Sequence, residues 1–252
     1  MKRLENKIAI VTGAAQGVGE AVVDLFVQEG AQVVALDIQG DKLAENVKKY
    51  GDKVVSYQLD VSSHDQWAEV VKKVIDQFGR IDILINNAGV MANKGLLDAT
   101  ESDLDWVYNI NAKGPIFGMQ TVIPHMQSQG GGSIVNVSSV AALSSGMSDG
   151  GDIAYSLSKG ALQTASKHVA YYFAKDNIRC NTINPAGILT PLIAESLEKY
   201  PEAAKANAIN SPLAPHMSQP EDVAQGILYL ASDAAPTVTG AQLLMDNGML
   251  SH

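Results

Sequence analysis

Seven short apolar runs punctuate the chain: KIAIVT, AQVVALD, KVVSYQLD, RIDILINN, GSIVNVSS, NIRCNTIN and AQLLMDNG. Most of their Ile, Val and Leu residues stand in unbroken stretches rather than alternating with polar ones, the pattern of strands buried on both faces. Such strands need helices above and below, so they form a parallel sheet joined by crossover connections. The intervening segments supply those helices. Ala21, Val22, Leu25 and Phe26 fall at helical spacing, as do Trp67, Val70, Val71, Val74, Ile75 and Phe78. The strand–helix alternation predicts an α/β fold: a doubly wound parallel sheet flanked by helices on both faces, with ligands at the carboxyl ends of the strands.

No linker, low-complexity tract or internal repeat interrupts this order, so residues 1–252 are expected to form a single domain. One stretch breaks the rhythm. From Gly187 to Met217 the chain is irregular and rich in Pro and Ala, with a helix expected around Leu192 to Glu198. A connection of this length inside a compact domain is usually functional, and 187–217 is read as a substrate lid, with a surface insertion as the plainer alternative.

Charge narrows the function classes. Eighteen basic against 27 acidic residues give a formal charge of -9, which offers no electrostatic footprint for nucleic acid or an anionic membrane surface. The single cysteine, Cys180, excludes an intramolecular disulfide framework and a cysteine metal cluster; its IRCNTI context reads as a buried strand residue. No metal site is expected. The apolar run in MKRLENKIAIVTG is too short for a signal peptide or a membrane span, so a cytoplasmic protein is expected.

TGAAQGVGE follows the first strand and opens a helix over Val18 to Gln28. Its glycines let the turn be tight and let the backbone approach a pyrophosphate, whose charge the helix N-terminus favours. Gly13, Gln16, Gly17, Val18 and Gly19 are therefore the candidate phosphate cradle of a Rossmann-type domain. About 20 residues further on, the second strand ends in Asp37, where a carboxylate can accept hydrogen bonds from an adenosine ribose. The same carboxylate repels a 2′-phosphate, and no Arg or Lys adjoins it in sequence or lies within AAQ. NAD is accordingly expected over NADP.

Tyr155 and Lys159, four residues apart in AYSLSKGALQTASKHVA, share one face of an expected helix. A free phenol has a pKa of about 10, so tyrosine acts as a base near neutrality only if a neighbouring cation favours its phenolate. Lys159 can supply that charge.

TGAAQGVG, Asp60-Val61, NNAG at 86–89, NINAKG, NVSS, YSLSK and NPAGILTP occur in the order typical of the short-chain dehydrogenase/reductase family, which the chain resembles over nearly its whole length. The resemblance implies hydride transfer between a nicotinamide cofactor and an alcohol or ketone. It assigns proton exchange to Tyr155, tuning and ribose binding to Lys159, a hydrogen bond to the reacting oxygen to Ser139, and a proton-relay water to Asn111. Strand alternation does not separate Ser138 from Ser139; the family's second serine selects Ser139 and leaves Ser138 structural, as N-x-N-x-x-G selects Asn111 over Asn109. The same resemblance places Asp60 and Val61 at the adenine, and Asn87, Ala88 and Gly89 along the cofactor. Pro185 joins the cofactor-contacting backbone, with Ile188 and Thr190 near the carboxamide. It also implies a homotetramer, formed through the helices holding Asn111 and Tyr155 and through the C-terminal region.

The chain departs from the family at Ala186, where a glycine is usual, and at LAPHMSQ near 213–219, where relatives often carry a Gly-Arg turn. His216 there is read as a surface residue, with substrate contact as its alternative. Fifteen residues separate Ser139 from Tyr155, a few more than the family usually has, and the excess falls in SSGMSDGGD. That loop is expected either to wall the substrate pocket, with Met147 inward and Asp149 and Asp152 toward solvent or a neighbouring subunit, or to be a surface bulge. Met91, Met147, Leu189, Leu192, Ile193 and Met217 are candidate wall residues. With no Arg or Lys in 140–154 or 187–198, the expected substrate is a neutral, rather apolar secondary alcohol or its ketone, with cyclic, terpenoid and steroidal compounds as candidates. A 3-oxoacyl-carrier-protein reductase is the rival enzyme. A nucleotide-sensing module is the rival outside enzymology, disfavoured because all four catalytic residue types are retained.

Overall fold

The computed structural model describes residues 2–144, 151–190 and 211–251. Strands β1 (Ile8–Thr12), β2 (Gln32–Asp37), β3 (Val54–Gln58), β4 (Ile83–Asn86), β5 (Gly132–Val137), β6 (Ile178–Pro185) and β7 (Gln242–Met245) fall on the seven apolar runs. All neighbours pair in parallel, in the order β3-β2-β1-β4-β5-β6-β7. The chain enters at the sheet's middle, winds out to β3, then crosses back beside β1 to β4 and proceeds to β7. That reversal between β1 and β4 opens the crevice in which such sheets bind ligands.

Both faces are covered, as the unbroken apolar runs require. Helices α1 (Gly17–Gln28) and α2 (Gly40–Val47) precede α3 (His64–Phe78) and α4 (Glu101–Tyr108) in the chain. They are followed by α5 (Gly114–Ser128), α6 (Ile153–Tyr172) and α7 (Pro220–Ala231). On one face Val22 and Phe26 of α1 pack with Ile227 and Leu228 of α7 over Ala9, Val11, Ile85 and Val135. On the other, Trp67, Val71 and Val74 of α3 and Met119 and Val122 of α5 cover Ile10, Leu84, Ile134 and Cys180. Adjacent strand residues such as Ile10 and Val11 thus serve opposite layers. Trp67 is fully buried, its indole donating to the Val61 carbonyl at 3.1 Å. A Cβ on Gly118 would stand 2.8 Å from the Trp67 ring, so α5 can approach α3 only with glycine there. Cys180 is buried as expected, and burial pushes its thiol up to about 12.

Two local features bear on the site. Between α4 and α5, Asn109–Lys113 winds as one π turn, which carries Asn111 into the protein interior. The roots of the 187–217 segment lie together: Leu189 N–H donates to the Ser218 carbonyl at 2.8 Å and Ser218 N–H to the Gly187 carbonyl at 3.0 Å. The helix expected at Leu192 to Glu198 lies outside the described residues. Among those described, no helix is long and apolar enough to cross a membrane.

Candidate active site

The crevice is built around the turn that ends β1. Gly13 has φ +66°, a conformation L side chains rarely adopt, and a Cβ there would lie 2.9 Å from the Ala88 Cα. A Cβ on Gly19 would fall 2.0 Å from the Gly13 carbonyl oxygen, so α1 can start this close to the turn only with glycine. Asn87 braces the arrangement. Its Nδ2 donates to the Thr12 and Gly13 carbonyls at 2.9 and 3.2 Å, while Thr12 Oγ1 accepts from Asn87 N–H and Ala88 N–H at 2.9 and 3.1 Å. TGAAQGVG and NNAG therefore form one structure, and Thr12 is its pin. In the sequence, the one signal that marks Thr12 is its place directly before the glycine turn.

At the far end of this crevice Asp37 is buried, at 8% exposure, and accepts from Ala15 N–H at 3.0 Å and Gln39 N–H at 2.9 Å. It fixes the turn as well as standing where a ribose is expected. Sequence proximity showed no cation at this end, but the fold brings one: Lys42 of α2 donates to Gln16 Oε1 at 2.5 Å. Val18 lies buried behind the turn. The Asp60 carboxylate accepts from the Ser62 N–H and hydroxyl at 2.9 and 2.7 Å. The Val61 side chain belongs to the core against Gly114, whose added Cβ would stand 3.0 Å from it.

Ser139, Tyr155, Lys159 and Asn111 come together at the carboxyl end of β5. Ser139 follows the strand and caps the short turn Val140–Ala142, its Oγ accepting from Ala141 N–H at 3.1 Å, and its hydroxyl also hydrogen-bonds the Tyr155 phenol. Ser138 instead donates to the Lys159 carbonyl at 3.2 Å, fastening α6 to the strand. The Lys159 ammonium is buried, donates to the Val137 carbonyl at 2.8 Å and lies 5.5 Å from the centre of the Tyr155 ring. Gly89 completes the corner, since a Cβ on it would stand 3.3 Å from Asn111 Oδ1 and 3.4 Å from Lys159 Nζ. The Asn111 amide accepts from Val90 N–H and donates to the Val90 carbonyl, both at 2.8 Å, and donates to Ser158 Oγ at 3.0 Å. Both its amide protons are thereby committed to tying the 88–91 segment to α6.

Electrostatics at this corner differ from the simple expectation of a lysine lowering a tyrosine. Burial holds the Tyr155 phenol above its ordinary pKa, opposed by the Ser139 hydrogen bond and reinforced by the Asp152 charge. Burial also pushes Lys159 down to about 8. Desolvation is the largest influence on Tyr155 and the one that lowers Lys159.

The expectation for Asp152 is overturned. Rather than facing solvent, it is 0% exposed and caps α6, its Oδ1 accepting from Tyr155 N–H at 3.0 Å and its Oδ2 from Asn93 N–H at 2.7 Å. An acidic residue three places before a helical tyrosine satisfies the helix's free N–H groups, which is worth more than solvation in a loop. Met147 and Asp149 of the same loop lie outside the described residues, as do Leu192 and Ile193. Of the other wall candidates, Met91 is 39% exposed, Leu189 is half-buried and Met217 is buried against Gly187. Pro185 ends β6 beside Met245. Ala186 donates to the Met245 carbonyl at 3.1 Å and is not in the left-handed region, so alanine fits where a glycine is usual. Ile188 packs on the core and Thr190 faces the first turn, 3.7 Å from where a Gly17 Cβ would be. His216 is half-buried, not a free surface residue, and its Nδ1 meets the Ser211 carbonyl at 2.7 Å.

A doubly wound parallel sheet with a glycine cradle at its first turn defines a Rossmann-type nucleotide-binding protein. A family model described as enoyl-(acyl carrier protein) reductase matches residues 13–250. The chain is 42% identical to a 3-oxoacyl-[acyl-carrier-protein] reductase of Thermotoga maritima, covering 98% of this chain and 99% of the relative. It is 34% identical to a cyclopentanol dehydrogenase of a Comamonas species, covering both chains fully, and 32% identical to a 7alpha-hydroxysteroid dehydrogenase of Bacteroides fragilis, covering 100% and 97%. A solved structure from Burkholderia xenovorans, described as a short-chain dehydrogenase/reductase, superposes with a TM-score of 0.93 at 28% identity, covering 100% and 99%. The chain belongs to the short-chain dehydrogenase/reductase family and is an oxidoreductase of that type, a family that works with nicotinamide cofactors.

Proposed function

We propose that this protein interconverts a neutral, rather apolar secondary alcohol and its ketone with NAD. The observation that carries the reading is the Tyr155 phenol, hydrogen-bonded to Ser139 and flanked by the buried Lys159 ammonium at the ligand edge of the sheet. The residues present fit a dinucleotide: Gly13 and Gly19 let the turn and α1 pack together where a Cβ would clash, Gly17 leaves its Cβ position open with Thr190 3.7 Å away, and Asp37 closes the ribose end. A bound nicotinamide supplies the hydride acceptor for oxidation or the donor for reduction. Tyr155 exchanges the proton of the substrate oxygen, and Ser139 orients that oxygen. The Lys159 charge favours the phenolate whenever one forms. Gln16, Gly17, Val18, Asp60, Val61, Asn87, Ala88, Gly89, Pro185 and Ile188 are assigned to the cofactor side by the same reading. Asn111 holds the 88–91 segment in place.

For the substrate, Met91 and Leu189 offer apolar surface with Met217 buried behind Gly187, and segment 187–217 is proposed as the lid of a single catalytic domain. Relatives named for cyclopentanol and 7α-hydroxysteroid support a cyclic alcohol. The 42%-identical Thermotoga relative supports the second reading, a 3-oxoacyl-carrier-protein reductase, and Lys42 gives a 2′-phosphate one potential partner. Cyclic and acyclic secondary alcohols assayed with NAD and NADP in parallel separate the two. Turnover of cyclic alcohols with NAD, with NADP poorer by about tenfold or more, is expected. Preferential NADPH-linked reduction of 3-oxoacyl thioesters would overturn the first reading in favour of the second.

A homotetramer is proposed on the exposed aromatic and aliphatic faces of α4 and α6: Trp106, Tyr108, Leu157 and Tyr171 are 46, 43, 57 and 82% exposed. An apolar surface of this kind favours burial against another copy. Sedimentation equilibrium should give four chains per particle, and a monomer at micromolar concentration would refute it.

A further inference from the structure

Asp152 is the charged group whose position the alcohol–ketone reading leaves unexplained. It is buried, it forms no ion pair among the described residues, and both carboxylate oxygens are engaged by backbone N–H groups from two different elements. A second strut runs beside it, from Ile153 N–H to the Lys94 carbonyl at 3.2 Å. Tyr155 sits in the first turn of α6, where the helix presents about half a positive charge. A neutral serine, threonine or asparagine caps a helix about as well as aspartate does. Such a cap would leave that positive end acting on the phenol, favouring its ionised form.

We propose that Asp152 is a positioning residue: its fixed carboxylate offsets the positive end of α6, adding to burial in holding Tyr155 in the protonated state, and it locks the 90–94 segment to the catalytic helix. The resting site then carries the proton that ketone reduction delivers to the substrate oxygen, and the device leans toward the reductive direction. Its electrostatic sense agrees, since the Asp152 charge raises the Tyr155 phenol pKa in addition to burial. The other groups facing this corner among the described residues do not substitute for it. Lys159, one turn along α6, acts in the opposite sense, Lys94 of the loop is paired with Asp103 of α4 at 2.8 Å, and Ser139 from the end of β5 is neutral.

The inference rests on Tyr155 being the proton-exchanging group, but its test reads the phenol itself. Tyrosinate absorbance is followed against pH in the full-length protein, and subtracting the same titration of a Tyr155→Phe counterpart isolates this one phenol. In Asp152→Asn the charge is lost and one carbonyl acceptor remains; in Asp152→Ser the cap to Tyr155 N–H can persist without the charge. Both should ionise Tyr155 about one pH unit or more below the wild-type protein. A cap with a purely structural role would change melting temperature and leave the midpoint alone. An unshifted midpoint in either variant that retains the wild-type circular dichroism overturns the proposal. No substrate enters the titration, so an unshifted midpoint leaves the alcohol reading standing, and an unproductive alcohol panel leaves this proposal standing.

Discussion

Tyr155→Phe should lower turnover of any productive alcohol by on the order of 10²–10⁴-fold while leaving NADH affinity nearly unchanged. Phenylalanine keeps the ring, so the packing of α6 and the approach of Lys159 to its face survive; what is lost is the oxygen that meets Ser139. A group removed only from the transition state reduces kcat and kcat/KM together, whereas a ground-state binding group would raise KM alone. Stopped-flow hydride transfer and fluorescence titration with NADH distinguish these. Turnover within a factor of a few of wild type would remove Tyr155 from the mechanism and revive the nucleotide-sensing alternative. Loss of cofactor affinity together with turnover would point to a disturbed helix instead.

How far the sequence anticipated this arrangement depends on the physics behind each residue. Strands were legible because burial on both faces leaves a continuous apolar run, and all seven runs became strands. The glycine turn was legible because backbone approach tolerates no Cβ, which the Gly13 and Gly19 geometries bear out. Asp152 was misread for a related reason. It follows a run of small residues in SSGMSDGGD, and the decisive fact, its three-residue spacing from Tyr155 at a helix start, is a capping signal that such a run masks.

Long-range partners were not legible. Lys42 and Gln16 are 26 residues apart and meet only because β2 lies beside β1, so adjacency to Asp37 in sequence was the wrong measure of local charge. The Asn111 turn has no sequence signature either. A π turn costs hydrogen-bond geometry and survives because it delivers a buried amide to Val90 and Ser158, a gain visible only in three dimensions.

Lys159→Met should give a protein that is more stable at pH 7 than its parent, and inactive or nearly so. The sign follows from burial. Lys159 is held down to about 8 from an ordinary value of 10.5, so below pH 8 the folded protein carries a buried ammonium that the unfolded chain solvates. Between these two values the unfolded chain binds a proton that the folded protein has released, and stability rises with pH across that window. A depression of this size corresponds to about 3 kcal/mol at neutral pH. Methionine removes that cost but leaves the Val137 carbonyl without its lysine donor, a loss of about 1 kcal/mol, for a net gain of about 2 kcal/mol. Urea denaturation of both proteins at pH 7 and above pH 10 isolates the effect, because every other titrating group is common to the pair. The variant should lead at pH 7 and trail above pH 10, where the parent's neutral amine still donates to Val137. A variant less stable than its parent at both pH values would show that the ammonium is adequately solvated in the fold. A buried charge maintained at a net cost, facing a tyrosine and a glycine whose Cβ would press on it at 3.4 Å, is explained by what it does to the phenolate rather than by what it does for the fold.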